Sequence, residues 1–281
     1  MLLSILIQGK NDNYGADTNG KGGVCQRLKL GLNKLADNIN RLNKKDIEIV
    51  LCDWGSEKKI VTDLLTVKCP QLKCVYVSPE VGKKYSKEAS YSISHAYNVA
   101  FRHSSGEYRI FWDSDCYIRY EDMVRLYEFV VLLKTSNIQD TFFWGSRYHV
   151  PRSIWNECKD FQEIDNFFIN GDISEFRHDK INLDRFDGRA MALLLHKDMG
   201  YDSTCWWEEL PYWGWQDIEI HHRLASRYRV GVDLEDHDIP FFHLDHHDSK
   251  QQKLINQYVV PKYFNANNSN WGLLEENLEI L

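Results

Sequence analysis

The sequence of 281 residues lacks any apolar run near the roughly 18 residues that a membrane span requires. Its apolar beginning, residues 1–7, has neither a basic flank nor a small-residue cleavage site, so it does not read as a signal peptide. No Cys-x-x-Cys pair occurs, which argues against a cysteine zinc knuckle. The seven cysteines (25, 52, 69, 74, 116, 158 and 205) are odd in number and scattered, unlike a disulfide framework. Free thiols in a reducing, cytoplasmic setting are expected instead. A basic excess is also missing: 34 Lys and Arg face 41 Asp and Glu, a net charge of −7. That sets a generic nucleic-acid binder aside. No internal repeat and no Pro/Gly/Ser linker divides the chain. The expectation is one domain over residues 1–247 with a C-terminal extension over 248–281. No membrane span is expected, and peripheral association with a membrane stays open.

What is present is an ordinary globular balance, 43% hydrophobic and 27% charged. The aromatic complement is large: 9 Trp, 15 Tyr and 13 Phe. Such rings suit a core, and they equally suit platforms on which sugars stack.

The first half alternates strand and helix patterns. Residues 2–7 form a continuous apolar run fit for a buried strand. Residues 8–23 are rich in Gly, Asn and Asp and read as a loop. Leu28, Leu32, Leu35, Ile39 and Leu42 recur at helical spacing, so residues 24–42 are expected to be a helix. A strand at 47–52, a short helix at 57–65 and a strand at 73–77 follow. A helix at 86–103 carries Ile93, Ala96, Tyr97 and Ala100 on one face. A fourth strand, 108–112, runs straight into Asp113-Ser114-Asp115. This alternation implies an α/β fold, a mixed and mostly parallel sheet flanked by helices. In such sheets ligands sit at the carboxyl ends of the strands, where Asp53, Asp113 and Asp115 fall.

The second half is less regular. A helix is expected at 123–133, an edge strand at 141–150, and a polar excursion or flap at 161–180. A strand follows at 190–196, then a tryptophan-rich loop at 206–215 and a helix at 216–228. Residues 241–247 read as a strand end bearing histidines.

Three constellations carry chemistry. Asp113 and Asp115, two residues apart after a buried strand, can share a divalent cation that in turn holds a diphosphate. The bland alternative is a polar turn leading into the helix near Tyr120. His243 and His246 can place two imidazoles on one metal, or with Asp245 they can form a zinc site. Alternatively the segment is a histidine-rich surface loop, with His247 solvated. In the segment from Tyr212 to Glu219, Gly214 lets the backbone pass close to a ligand. Asp217 then falls in the first turn of a helix, where the dipole favours its ionised form, and it can serve as a general base or merely help to cap. Glu219 either faces solvent or contacts an acceptor. Trp206, Trp207, Trp213 and Trp215 suit a sugar-stacking cluster, with at least two of the four expected in the core.

These segments, in this order, resemble the nucleotide-sugar-dependent glycosyltransferases of the GT-A fold. The likeness is strongest to inverting β1,4-galactosyltransferases and chondroitin-polymerase-type N-acetylgalactosaminyltransferases. IEIVLCDWGS (47–56) is similar to the family's strand ending in DDGS, and AYNVAF (96–101) to its helix segment. FWDSDC (111–116) resembles the DxD strand, FDG (186–188) the turn before the acceptor strand, and YWGWQD (212–217) the family's Trp-rich acidic motif. His243 to His246 falls where those enzymes have a Met-x-x-His pair. The resemblance covers about residues 2–247. It implies a Rossmann-like nucleotide-binding half, 1–118, and an acceptor-binding half, 119–247.

It further implies roles. Asp53 would contact the uridine of a UDP-sugar, with Gln8 and His95 near the same nucleotide. Asp113 would lie near ribose or metal-bound water. Asp115, His243 and His246 would ligate a divalent cation, Mn²⁺ in the first place and Mg²⁺ as the alternative. Asp217 would be the base. Gly188, Trp213, Trp215 and Gln216 would shape the acceptor or donor-sugar pocket. The implied activity is metal-dependent inverting transfer of a hexose or N-acetylhexosamine to a saccharide or glycoconjugate. Gln216 departs from the family's Glu, His243 replaces a Met, and Gly188 stands as a single Gly between Asp187 and Arg189, so the sugar is not inherited. Two other classes stay open: a metal-dependent phosphohydrolase of nucleotide diphosphates, and a non-catalytic saccharide-binding module of a larger synthase.

Overall fold

A computed structural model of the chain describes residues 1–12, 16, 22–89, 91–171, 173–183, 186, 190–212, 214–246 and 266–281. The first half delivers the expected alternation. β1 (Leu3–Gly9) is buried along its whole length. α1 (Val24–Leu42) has the bounds the apolar spacing implied. β2 (Ile47–Trp54), α2 (Ile60–Asp63) and β3 (Leu72–Val77) follow. A continuous apolar strand such as β1 is what a parallel sheet covered on both faces demands.

A separate helix, α3 (Pro79–Ser86), precedes the helix expected over 86–103, which is shortened to α4 (Ile93–Arg102). Ser78 caps α3 by accepting from the Val81 amide, and proline sits at its start, both strong initiation signals. Lys87, at φ +55°, turns the chain out of α3. β4 (Tyr108–Trp112) matches its expected bounds and is followed by β5 (Cys116–Tyr117) and α5 (Tyr120–Thr135).

The segment 141–150 is not one edge strand. β6 (Thr141–Gly145) lies within the large sheet and β7 (Arg147–Val150) in a second one. Ser146 sits at the crossing, where its amide donates to Asp233 Oδ1 at 3.0 Å and its hydroxyl donates to Oδ2. A Cβ on Gly145 would stand 2.6 Å from the Phe241 ring, so only glycine fits the crossover. The stretch 161–180 is no flap either. After α6 (Arg152–Trp155), Asp160 caps α7 (Phe161–Asn170), and Phe161 and Ile164 are buried. Asp165 of α7 binds Lys34 of α1 and the Tyr117 hydroxyl at 2.5 and 2.7 Å.

The chain continues through β8 (His178–Asp179), β9 (Ala192–His196), α8 (Lys197–Ser203), α9 (Gln216–Ala225) and β10 (Arg229–Val230). A 3₁₀ turn at Leu234–His237, β11 (Phe241–Leu244) and β12 (Glu279–Ile280) close it. The large sheet has the order β10-β6-β9-β4-β1-β2-β3-β12, and the small one β5-β11-β7-β8. β1 to β4 run parallel, and β9 lies antiparallel between β4 and β6. Residues 266–281 pack onto this body: Trp271 and Leu273 are buried in the core, and β12 pairs with the edge of β3.

The parallel register decides where function can sit. Gly9 pairs with Asp53, and Ile7 with Trp112. Gln8, Asp53 and Asp113 therefore arrive at one level, at the carboxyl edge of the sheet. All seven cysteines are free, and five of them are buried. Thiol titration of the denatured chain without reductant is therefore expected to find all seven reactive; disulfides in that assay would contradict it. Among the described residues no helix is long and apolar enough to cross a membrane.

Candidate active site

The edge of the sheet is built around buried polar groups. Tyr97, on α4, donates its hydroxyl to Asp113 Oδ1 at 2.8 Å and is hydrogen-bonded by Gln8. One chain of contacts thus joins β1, α4 and the end of β4. Asp53 is fully buried, and its Oδ2 accepts the Ile60 amide at 2.8 Å, so it also opens α2. Burial raises its pKa, against the opposing pull of Ser56 and that amide. His95 lies beneath this edge, between Trp54 and Tyr85 at ring separations of 5.8 and 5.7 Å. It is hydrogen-bonded to Ser92 at 2.8 Å, and burial lowers its pKa to about 4. Its ring is therefore neutral at pH 7.

Asp115 faces two histidines. Its Oδ2 lies 3.3 Å from His243 Nε2 and 3.3 Å from His246 Nε2. The three donor atoms all fall within 4.8 Å of one another. β5 pairs antiparallel with β11, placing His243 opposite Cys116, and this brings the two distant motifs together. Arg27, on the buried face of α1, stands 3.6 Å from the same carboxylate oxygen with its side chain 1% exposed. Burial works against the charge of Asp115, but His243, His246 and Arg27 outweigh it and hold the carboxyl well below its usual range. Burial also lowers the pKa of His243, keeping its ring neutral. A carboxylate oxygen with two imidazole nitrogens is a donor set that fits Mn²⁺, Fe²⁺, Co²⁺ or Zn²⁺ better than Mg²⁺, which favours oxygen alone.

Asp217 occupies the first turn of α9. The turn before it is strained: Gly214 and Trp215 are both left-handed, at φ +86° and +70°. A tryptophan held there costs on the order of 1–3 kcal/mol, the kind of strain that accumulates at working sites. Burial raises the pKa of Asp217 to about 7, with Arg147 opposing the shift. Burial first, and then the charges of Asp115 and Asp217, raise the pKa of Asp113.

The family model for glycosyltransferase-like family 2 matches residues 27–234, well over half of the chain. The chain belongs to this family. Among solved structures, the fold is similar to that of S. aureus TarS 1–349, at 16% identity and a TM-score of 0.52, covering 87% of this chain and 60% of that one. The same TarS segment in complex with UDP aligns at 17% identity and 0.52, covering 87% and 61%. In complex with UDP-GlcNAc it aligns at 16% and 0.51, covering 92% and 62%. The chain thus spans about six-tenths of the length of these TarS chains. No curated protein matches it. The GT-A architecture expected from the sequence is the one observed.

Within this family fold the remaining sequence expectations sort as follows. Gly188 and Trp213 lie outside the described residues, as does His247. Gln216 is buried and donates its amide to the Tyr212 carbonyl, so it closes the tryptophan loop upon itself. Trp215 is 36% exposed, whereas Trp206 is 3% exposed and stacks on Tyr97 at 5.1 Å. Trp207 is half-buried; Trp206 is the core tryptophan of the three described, and the fourth, Trp213, lies outside the described residues. Glu219 neither faces solvent nor awaits an acceptor. It makes a buried two-pronged ion pair with Arg223, both contacts at 2.8 Å. Arg223 in turn donates to the Ser203 and Cys205 carbonyls, so Glu219 anchors α9.

The sequence reading missed Arg27, Tyr97 as a site residue, Arg147 and His149. Arg27 could have been found as a charge in phase with the apolar stripe of α1. Arg147 and His149, two apart on β7, share one face of that strand. Arg147 acts electrostatically on Asp113, Asp217 and His243.

Proposed function

We propose that the chain is a metal-dependent inverting glycosyltransferase that moves a hexose or N-acetylhexosamine from a UDP-sugar to a hydroxyl of a saccharide or glycoconjugate. The observation that carries this reading is the meeting of Asp115, His243 and His246 after the carboxyl end of β4, with Asp217 within electrostatic reach of the neighbouring Asp113. The UDP and UDP-GlcNAc complexes of the similarly folded TarS support the choice of donor.

Asp115, His243 and His246 would hold the cation, and Mn²⁺ is among the ions that this donor set fits. A bound divalent ion supplies Lewis-acid help to a departing diphosphate. Gln8, Asp53 and His95 line the nucleotide end. Asp217 takes the proton of the acceptor hydroxyl as that oxygen attacks the anomeric carbon and the bond to UDP breaks. A base with a pKa near the working pH is suited to that transfer. The exposed ring of Trp215 offers a face for the acceptor sugar.

A thermal-shift screen of UDP-sugars with Mn²⁺ tests the reading, because a bound donor stabilises the fold by RT ln(1 + [L]/Kd). Hydrolysis of the donor at the same rate with and without sugar acceptors would favour a phosphohydrolase instead. The pH profile gives an independent check. Asp217 is neutral below its pKa of about 7 and ionised above it. Only the ionised form accepts a proton, so at saturating Mn²⁺ kcat/KM should rise with pH through about 7 and fall about tenfold per unit well below it. A flat profile from pH 5 to 8 would remove Asp217 as the base.

A further inference from the structure

The metal reading leaves one question at His243. For its Nε2 to carry a lone pair toward a cation beside Asp115, the neutral ring must carry its proton on Nδ1. That proton needs an acceptor, because the ring is 7% exposed. Asp245 Oδ1 stands 3.8 Å away, beyond hydrogen-bond reach. His149 Nδ1 stands 3.2 Å away.

The placement of His149 is fixed by the small sheet. β7 and β11 are parallel, and their register sets His149 directly beside His243. The two rings meet edge to face, 4.9 Å apart at 72°. His149 is itself 3% exposed. Its other nitrogen, Nε2, lies 2.9 Å from Asp179 Oδ2, on the neighbouring strand β8. Arg177 Nη2 lies 2.8 Å from each ring nitrogen, and Asp245 Oδ1 3.3 Å from Nδ1. Their opposite charges offset one another at that point.

We propose that His149 is a positioning residue for the metal ligand His243: its Nδ1 accepts the His243 Nδ1 proton, and Asp179 holds the His149 proton on Nε2. The inference rests on the metal reading above and extends it one layer outward. Partners of this kind fix the ring orientation and tautomer of a ligating histidine, and their loss costs roughly 10–100-fold in metal affinity.

Mn²⁺ binding by the full chain, read from the electron-paramagnetic-resonance signal of the free ion, tests this without any turnover. His149→Phe keeps a buried ring but no acceptor, and should weaken Mn²⁺ binding by about 10–100-fold. His149→Asn places a carbonyl oxygen near the lost Nδ1 and should recover most of that affinity, which a purely packing role would not allow. Equal Mn²⁺ affinity in the Phe variant and the unaltered chain, or equal losses in both variants, would overturn the proposal. Absence of Mn²⁺ binding by the unaltered chain is a different failure: the metal reading then falls and takes this one with it. A long-range ¹H–¹⁵N spectrum of the Zn²⁺-loaded unaltered protein needs no variant to fold. It should show His149 protonated at Nε2 and His243 at Nδ1; a His149 proton on Nδ1 would overturn the assignment.

Discussion

Asp115→Asn should bring the UDP affinity measured with Mn²⁺ down to the level measured with excess chelator. The carboxylate is the one anionic donor of its cluster, and its oxygen is the atom that both His243 and His246 face at 3.3 Å. Losing an outer partner of a ligand already costs about 10–100-fold, and losing the ligand itself should cost more. Asparagine is a better substitution than alanine here. Arg27 is 1% exposed, with Asp115 3.6 Å from its Nε and the Gly22 carbonyl accepting from its Nη1 at 2.7 Å, so truncation would remove both a nearby carboxylate charge and an acceptor oxygen from beside a buried guanidinium. Asp115→Ala should therefore lose stability as well as donor binding, whereas the Asn variant keeps a hydrogen-bonding oxygen. Isothermal titration with UDP, in Mn²⁺ and in chelator, reads the effect directly. If the unaltered protein binds UDP equally well in both buffers, the cation has no part in donor binding.

How much of this could be read beforehand depended on whether the signal was local. The bounds of α1 and β4 came out as expected because periodicity and burial agree along them. The helix expected from residue 86 begins only at Ile93, because α3 ends at Ser86 and Lys87, at φ +55°, turns the chain away before α4 starts. The docking of α7 was legible in Phe161, Ile164 and Phe168, which fall at helical spacing on one face, but the polar residues between them masked it. β6 and β7 divide at Ser146 through a hydrogen bond to Asp233, 87 positions away, and no local pattern encodes that. The site follows the same rule. Asp115, His243, His246 and Asp217 sit in short motifs and could be named. Their supports come from elsewhere: Arg27 from α1, Arg147 and His149 from β7. Such residues become functional only when the second sheet closes against the end of the first. Glu219 shows the converse, for its place two residues after Asp217 suggested a working role, and the fold spent it on Arg223.

That buried pair also sharpens the test of the base. Asp217 and Glu219 share the first turn of α9, but Asp217 acts on Asp113 whereas Glu219 is held in its ion pair with Arg223. Asp217→Asn keeps the shape and the hydrogen-bonding capacity while removing proton acceptance. The variant should bind Mn²⁺ and UDP as the unaltered chain does, yet lose transfer by roughly two to four orders of magnitude, the usual contribution of a positioned base. If Asp217 only assisted the start of α9, the loss would instead appear as about 1 kcal/mol of stability with turnover intact. Gln216→Glu is the matching control. Gln216 donates its amide to the Tyr212 carbonyl, a bond that an ionised carboxylate cannot make, so the variant should lose about 1 kcal/mol of stability while turnover of the folded protein changes by less than about tenfold, because an amide there cannot have been the base. Near-normal transfer by a folded Asp217→Asn protein would remove the assignment. Asp245 would then be the next carboxylate to test, since Glu219 is already committed to its arginine.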